Sequence, residues 1–393
     1  MGMNCPLALS WEAGPLTLSD PTLAGSADQP IQKTTPLYEL HVELGGKIVD
    51  FAGWSLPVQY PAGIMSEHRH CREKAGLFDV SHMGQVVIRG NDAASAFEQL
   101  VPGNIEGLKP GHARYTTFTN EEGGVLDDLI VSRLDDGLFI VVNAGCRAAD
   151  IAHMRARLEP NFEVEELTNR ALLALQGPAA VDLLAEHRPE AAGLRFMQTM
   201  ETTFKDIPVR LSRLGYTGED GFEISVADSD ALDLARHLLG DERVMPIGLG
   251  ARDSLRLEAG LCLYGHELNA EITPIEAGLT WSIGKRRREE GGFPGADVIK
   301  AQLNSGVRKK LVGIRPEGRA PAREGTEIQD ADGKTIGVVT SGGFGPTVEA
   351  PVSMGYIPPS LAEPGSDVTL MVRGKAKPAR IAKLPFTPHR YRR

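Results

Sequence analysis

The texture of this chain changes at Lys309, and that change constrains the fold more than any other feature. Upstream, short β-like runs alternate with helical patterns. The stretches 85–89, 138–143, 172–176, 209–214 and 222–226 read as strands, most of them bounded by Gly, Pro, Asn or Asp. Apolar residues recur every three or four positions over 93–100, 147–158, 179–187 and 229–239, the spacing of one helical face. A further helix is expected over 252–263, with Leu255, Ala259 and Cys262 on one side. Downstream of Lys309, strands at 311–314, 337–340 and 368–372 are separated by Gly- and Pro-rich turns with little helical signal. The pattern predicts an α+β region followed by a separate small β-barrel or sandwich. The charged, Gly-containing stretch 285–304 reads as a linker.

A chain of 393 residues is too long for one simple core and suggests two or three domains. Its net charge of -10 argues against a general nucleic-acid binder. The charge is uneven, however: Lys285 to Arg288 form one basic cluster, and from Val372 onward there are eight Lys or Arg and no acid. The four cysteines, Cys5, Cys71, Cys146 and Cys262, include no Cys-x-x-Cys pair, so neither a zinc ribbon nor a disulfide framework is indicated. No run reaches the roughly eighteen apolar residues of a membrane helix. Residues 1–34 carry Glu12, Asp20 and Asp28 and almost no basic residue, unlike an organellar transit peptide. They read as a variable extension, and a reducing, cytoplasmic setting is expected.

One segment stands out chemically. Gly123-Gly124-Val125-Leu126-Asp127-Asp128-Leu129-Ile130-Val131 sets two adjacent carboxylates in an apolar run after a Gly-Gly turn. Asp is depleted in strands and costly to bury unpaired, so the pair marks either a strand entering a pocket or a tight structural turn. On a strand, successive side chains alternate faces, so only one of the two points into a given cavity.

This run belongs to a set of segments that together resemble the T-protein family, the aminomethyltransferases of the glycine cleavage system. The others are Thr35-Pro-Leu-Tyr38, Phe51-Ala-Gly-Trp54, Phe78-Asp-Val-Ser-His-Met83, Phe118-Thr-Asn120 and Leu175-Gln-Gly-Pro178. Further on come Gly215-Tyr-Thr-Gly-Glu-Asp-Gly-Phe-Glu223, Gly250-Ala-Arg-Asp-Ser-Leu-Arg-Leu-Glu-Ala-Gly260, Val339-Thr-Ser-Gly342 and Met354-Gly-Tyr356. The resemblance runs in order from about Thr35 to the C-terminus. It implies a multidomain folate-binding fold, with residues 35–300 as two α+β subdomains that bind folate and 308–393 as the C-terminal barrel.

Residue by residue, the resemblance assigns the reacting centre to Asp128, with Asp127 pointing away and serving the turn. A carboxylate there could orient the folate N5, stabilise positive charge on the carbon in transfer, or manage a proton. Glu223 follows a glycine turn on a strand and faces opposite Phe222 and Ile224. Its two acceptor oxygens suit the donor edge of a pterin, and a solvent-facing Glu is the competing reading. Arg252 could clamp a carboxylate of folate, with an i,i+3 surface pair of its neighbours Asp253 and Arg256 as the rival reading. The resemblance favours folate contact for both, and places Tyr391 as an aromatic closing over the folate pocket. Tyr115 could stack on the ligand or belong to the core.

Other motifs are read as structural. Glu67-His68-Arg69-His70-Cys71 lacks a second cluster to complete a metal site, Ser81-His82 is merely adjacent in sequence, and Gly342-Gly343-Phe344-Gly345 lacks the Lys of a P-loop. The reaction implied takes an aminomethyl group from the lipoyl arm of H-protein to tetrahydrofolate, releasing ammonia and 5,10-methylenetetrahydrofolate. Lipoylated H-protein and tetrahydrofolate are the expected partners, with no metal, nucleic acid or membrane. The alternatives are a folate-dependent demethylase of the same superfamily and a non-catalytic folate-binding factor for iron-sulfur assembly.

Overall fold

The structure, a computed structural model, describes residues 32–393. The expected extension 1–34 falls outside them except for its last residues. Lys33–Thr34 form a short strand beside Trp54–Gln59, and Gln32 bonds Asp50 and Ser55.

Two larger sheets carry the α+β region. One has six strands in the order Gln198–Phe204, Ile207–Arg213, Gly221–Ala227, Arg170–Gln176, Ala75–Asp79, Val244–Pro246. The other has five, in the order Ala113–Thr119, Val125–Arg133, Gly137–Val142, Gly84–Arg89, Val164–Glu166. Each sheet covers one face with helices. Phe222, Ile224 and Val226 pack with Leu234 and Leu238 of the helix Asp228–Leu239, while Val86, Ile88 and Ile140 pack with Ile151 and Met154 of Arg147–Leu158. Alternation then sends the intervening residues of both sheets to the opposite faces, where the functional groups lie.

Residues 310–382 close into a six-stranded barrel, with Lys310–Pro316 pairing Lys375–Ala382 to complete the ring. The barrel expectation is met, and the glycine-rich run lies at the end of a long strand, Thr335–Gly345. A Cβ at Gly342 would lie 1.8 Å from the Ala322 carbonyl, so the glycine there permits close approach of two backbones.

Two expectations need correction. The helix at 252–263 runs instead over Leu249–Glu258: Gly260 adopts φ +63, the Leu261 amide donates back to the Arg256 carbonyl, and Cys262 leaves the helical face. The stretch 285–304 is packed rather than a linker. It forms the helices Lys285–Glu290 and Ala296–Ser305, and Ile283, Phe293 and Ile299 bury a small core. Its basic cluster is largely spent internally. Arg286 pairs with Glu98 and Glu290, Arg287 is buried against the Glu98 carbonyl at 2.8 Å, and Arg288 bonds the Ile283 carbonyl.

Barrel and α+β region meet at Glu258. One carboxylate oxygen accepts from the Thr347 and Val348 amides, and the other faces His68, Arg72 and Thr387. His68 also bonds Ser254 and Thr347, while Glu67 accepts the Tyr60 and Gly248 amides. The Glu67–Cys71 motif is thus consumed in joining helices and barrel. Ser81 bonds the Leu172 carbonyl, not His82.

Candidate active site

The Gly-Gly turn and the strand after it are set by sequence chemistry. Asn120 accepts the Gly124 amide at 2.7 Å, Gly123 takes φ +80, and a Cβ on Gly124 would collide with the Ala270 carbonyl at 1.8 Å. The strand Val125–Arg133 follows, so the turn reading gives way to the strand reading. Asp127 and Asp128 point to opposite faces, and Asp127 does not serve the turn. It is fully buried and accepts the Asn143 amide at 3.1 Å and the Asn143 Nδ2 at 2.9 Å. The same Nδ2 donates to Asp128 Oδ1 at 3.0 Å, so one amide bridges both carboxylates.

Asp128 lies half-buried in the opposite direction, and the Tyr115 hydroxyl donates to it. Burial and then the neighbouring Asp127 charge push its carboxyl up to about 7. Tyr115 therefore does more than fill the core: one face of its ring stacks on Trp281 at 5.4 Å while its hydroxyl holds Asp128. Trp281 itself is 63% exposed, at the outer rim of the site.

Glu223 sits on Gly221–Ala227, opposite Phe222 and Ile224 as alternation predicts. The solvent-facing reading fails, since the residue is only 9% exposed. Its carboxylate makes no hydrogen bond among the described residues. It lines a cavity with Ile130, Leu214 and Ser225, and burial pushes its pKa up to about 7, opposed by Arg252.

Arg252, in the first turn of Leu249–Glu258, places its guanidinium 4.8 Å from the Tyr216 ring centre. The guanidinium makes no hydrogen bond among the described residues, while the expected i,i+3 pair does form beside it between Asp253 and Arg256, at 2.8 Å. Tyr216 links the two halves of the site. Its ring underlies Arg252, its hydroxyl bonds the Cys262 carbonyl, and it is close enough to Asp128 to feel its charge.

Tyr391 stands apart from this group. Its ring stacks on Phe196 at 4.1 Å and 7°, beside His389, on the far side of the 215–220 loop, where the Arg390 amide bonds the Gly218 carbonyl. Asn143, Asp150, Tyr216 and His82 were missed from the sequence. His82 is buried 5.5 Å from Phe51 and pushed down to about 4 by burial and by Arg252, with an unpartnered Nδ1. Only the end of a strand at Asn143 and the Ser-His motif hinted at either.

The arrangement offers two carboxyls that change charge near neutrality and an uncommitted guanidinium over an aromatic ring. Such a cavity suits a flat, polar heterocycle and proton movement at one end of it.

Two family models match the chain: the GCVT N-terminal domain over residues 37–287, and the glycine cleavage T-protein C-terminal barrel domain over 309–387. The chain belongs to the glycine cleavage T-protein family. It is 46% identical, over 92% of its length and 94% of the relative's, to a mitochondrial aminomethyltransferase of Dictyostelium discoideum. It is 46% identical to that of Flaveria pringlei, covering 91% of this chain and 90% of the relative's. A solved aminomethyltransferase T of the glycine cleavage system from Bartonella henselae superposes with a TM-score of 0.88 at 44% identity, covering 92% of this chain and 100% of that one. These relatives correct one expectation. Curated relatives at 44–46% identity are named as mitochondrial aminomethyltransferases, which goes against the cytoplasmic location expected from the sequence.

Proposed function

We infer that the protein is an aminomethyltransferase of the glycine cleavage system. It transfers the one-carbon unit of aminomethyl-dihydrolipoyl H-protein to tetrahydrofolate, releasing ammonia and 5,10-methylenetetrahydrofolate. The observation that carries this reading is the family match along both the α+β region and the barrel, in a chain where Tyr216 lies under Arg252 and within reach of the Asp128 charge, and Arg252 in turn acts on Glu223.

In this reading residues 35–300 hold folate and 308–393 complete the fold around it. Glu223, buried with no internal partner, accepts from the amino group and ring N–H of the pterin. Arg252 takes the negative end of the folate or the developing charge beside it. Tyr391 acts through the 215–220 loop, which the neighbouring Arg390 amide holds at the Gly218 carbonyl, and not by laying its ring on the ligand. Asp128, ionised, stabilises the cationic carbon as the C–S bond opens and accepts the proton leaving the attacking nitrogen. The position of Trp281 over Tyr115 suits an arm arriving from outside. Neither alternative function gains an observation in its favour.

The test is ammonia release from aminomethylated H-protein with and without tetrahydrofolate. Release strongly accelerated by the folate is expected. Folate-independent rates would sink the reading.

A further inference from the structure

Behind Asp128 lies a group that the proposed reaction does not use. Asp127 and Asp150, the latter on the helix Arg147–Leu158, face each other within hydrogen-bonding reach, and both side chains are buried. Two carboxylates cannot approach this closely without a proton between them. The groups facing the pair are Asp128 from the same strand as Asp127, Cys146 one turn before Asp150, and Tyr264 from the loop after Gly260. His153, the next titratable group on the helix, turns to the Phe118 ring instead. Among the described residues no Lys, Arg or His forms an ion pair with either acid, so no positive charge offsets the pair and a proton held between them relieves the repulsion.

The partners decide which acid holds it. Burial raises the Asp127 carboxyl, but its two donors from Asn143 pull it back toward the ionised form, and the Cys146 thiol faces it as well. Asp150 has no donor of its own, and its Oδ2 is buried without a partner. An ionised Asp150 would be uncompensated; a neutral one donates.

We propose that Asp150 is a positioning residue for the reaction: as a neutral carboxylic acid it donates its proton to Asp127, and the Asp127 carboxylate so held aligns the Asn143 amide that orients Asp128. This extends the proposed function, since it gives the Asp pair a division of labour. Asp127 supplies a fixed negative charge that keeps the Asp128 pKa high, and Asp150 lets that charge exist in the interior. Burial and the Asp127 charge push Asp150 up to about 11, so it stays protonated across the working range.

Two measurements test it. Infrared difference spectra near pH 8 read the carbonyl band of a protonated, buried carboxyl. The band is expected in the parent and lost in Asp150→Asn; its persistence in Asp150→Asn overturns the assignment. This readout stands whether or not aminomethyl transfer is the activity. The second is the pH profile of turnover. Asp150→Asn keeps the donor and adds no charge, so turnover within about threefold of the parent and an unmoved acid limb are expected. Asp150→Ala loses the donor and lowers kcat by about tenfold or more. Asp127→Asn removes the charge and moves the acid limb to lower pH. An acid limb that moves equally in Asp150→Asn and Asp127→Asn, or an Asp150→Ala protein with parental turnover, overturns the proposal.

Discussion

Replacing Glu223 by Gln should strengthen the empty protein and weaken its grip on folate. The carboxyl is buried without a hydrogen bond among the described residues, and its pKa rises from 4.5 to about 7. At about 1.4 kcal/mol per pH unit, keeping it ionised inside the fold costs about 3 kcal/mol. The sign follows from linkage. Because the folded value lies above the unfolded one, the native state holds the extra proton between the two. Stability falls as pH rises from about 4.5 to 7, and the full cost is present above that window. Glu223→Gln removes the ionised form, so a gain of about 2–3 kcal/mol is expected at pH 8, with most of it gone by pH 5. Urea unfolding at the two pH values reads this directly. Calorimetry of tetrahydrofolate binding should move oppositely, by roughly 2–4 kcal/mol, because an amide cannot accept from both donors of the pterin edge. Equal stability differences at pH 5 and pH 8 would refute the burial argument. Unchanged folate affinity would refute the pairing.

Asp128→Asn should lower turnover by on the order of a hundredfold with folate affinity little changed, measured by ammonia release. In the parent, turnover should fall as pH drops through about 7, where Asp128 takes up its proton and can no longer act as a base. Arg287→Ala leaves the Glu98 and Val101 carbonyls without their buried donor, and a loss of roughly 2–4 kcal/mol in thermal or urea unfolding is expected. Neutralising Lys375, Lys377 and Lys383 together should slow association with H-protein at low salt and flatten its ionic-strength dependence; parental rates in stopped-flow mixing would leave these lysines as a solvated face.

Much of this molecule was legible before its structure. The strands around Ile88, Leu172 and Ile224 and the helix at 147–158 follow from apolar periodicity, because each element buries one face of a sheet or helix. Alternation set Glu223 opposite Phe222 and Ile224, but only the resemblance favoured a cavity over solvent for it, because the cover over that face comes from residues distant in sequence. The misreadings share a cause. Charge at 285–304 was taken for exposure, yet Arg287 is buried through carbonyl contacts more than a hundred and eighty residues away in sequence. Cys262 was placed on a helix whose end depends on one positive φ at Gly260. The partners of the Asp127–Asp128 pair were hidden for the same reason. Asn143 and Asp150 lie in elements that meet the Asp strand only once the sheet has formed, and no local pattern marks them.

The Glu258 junction has a consequence for how the molecule is made. Its carboxylate gathers partners from opposite ends of the chain: His68 meets Thr347 across 279 positions, and Thr387 reaches Glu258 across 129. During synthesis the α+β region emerges long before the barrel that completes the junction. In that interval Glu258 keeps His68 and Arg72 but lacks the Thr347, Val348 and Thr387 donors, and the apolar surface beneath the barrel, including Leu257 and Leu268, faces water. Docking of so distant a segment is a late event, governed by the wait for its residues more than by loop entropy, which grows only slowly with length. The nascent protein is therefore most vulnerable to proteases and to sticking to other chains at this seam, and a ribosome stalled before residue 347 would present it open.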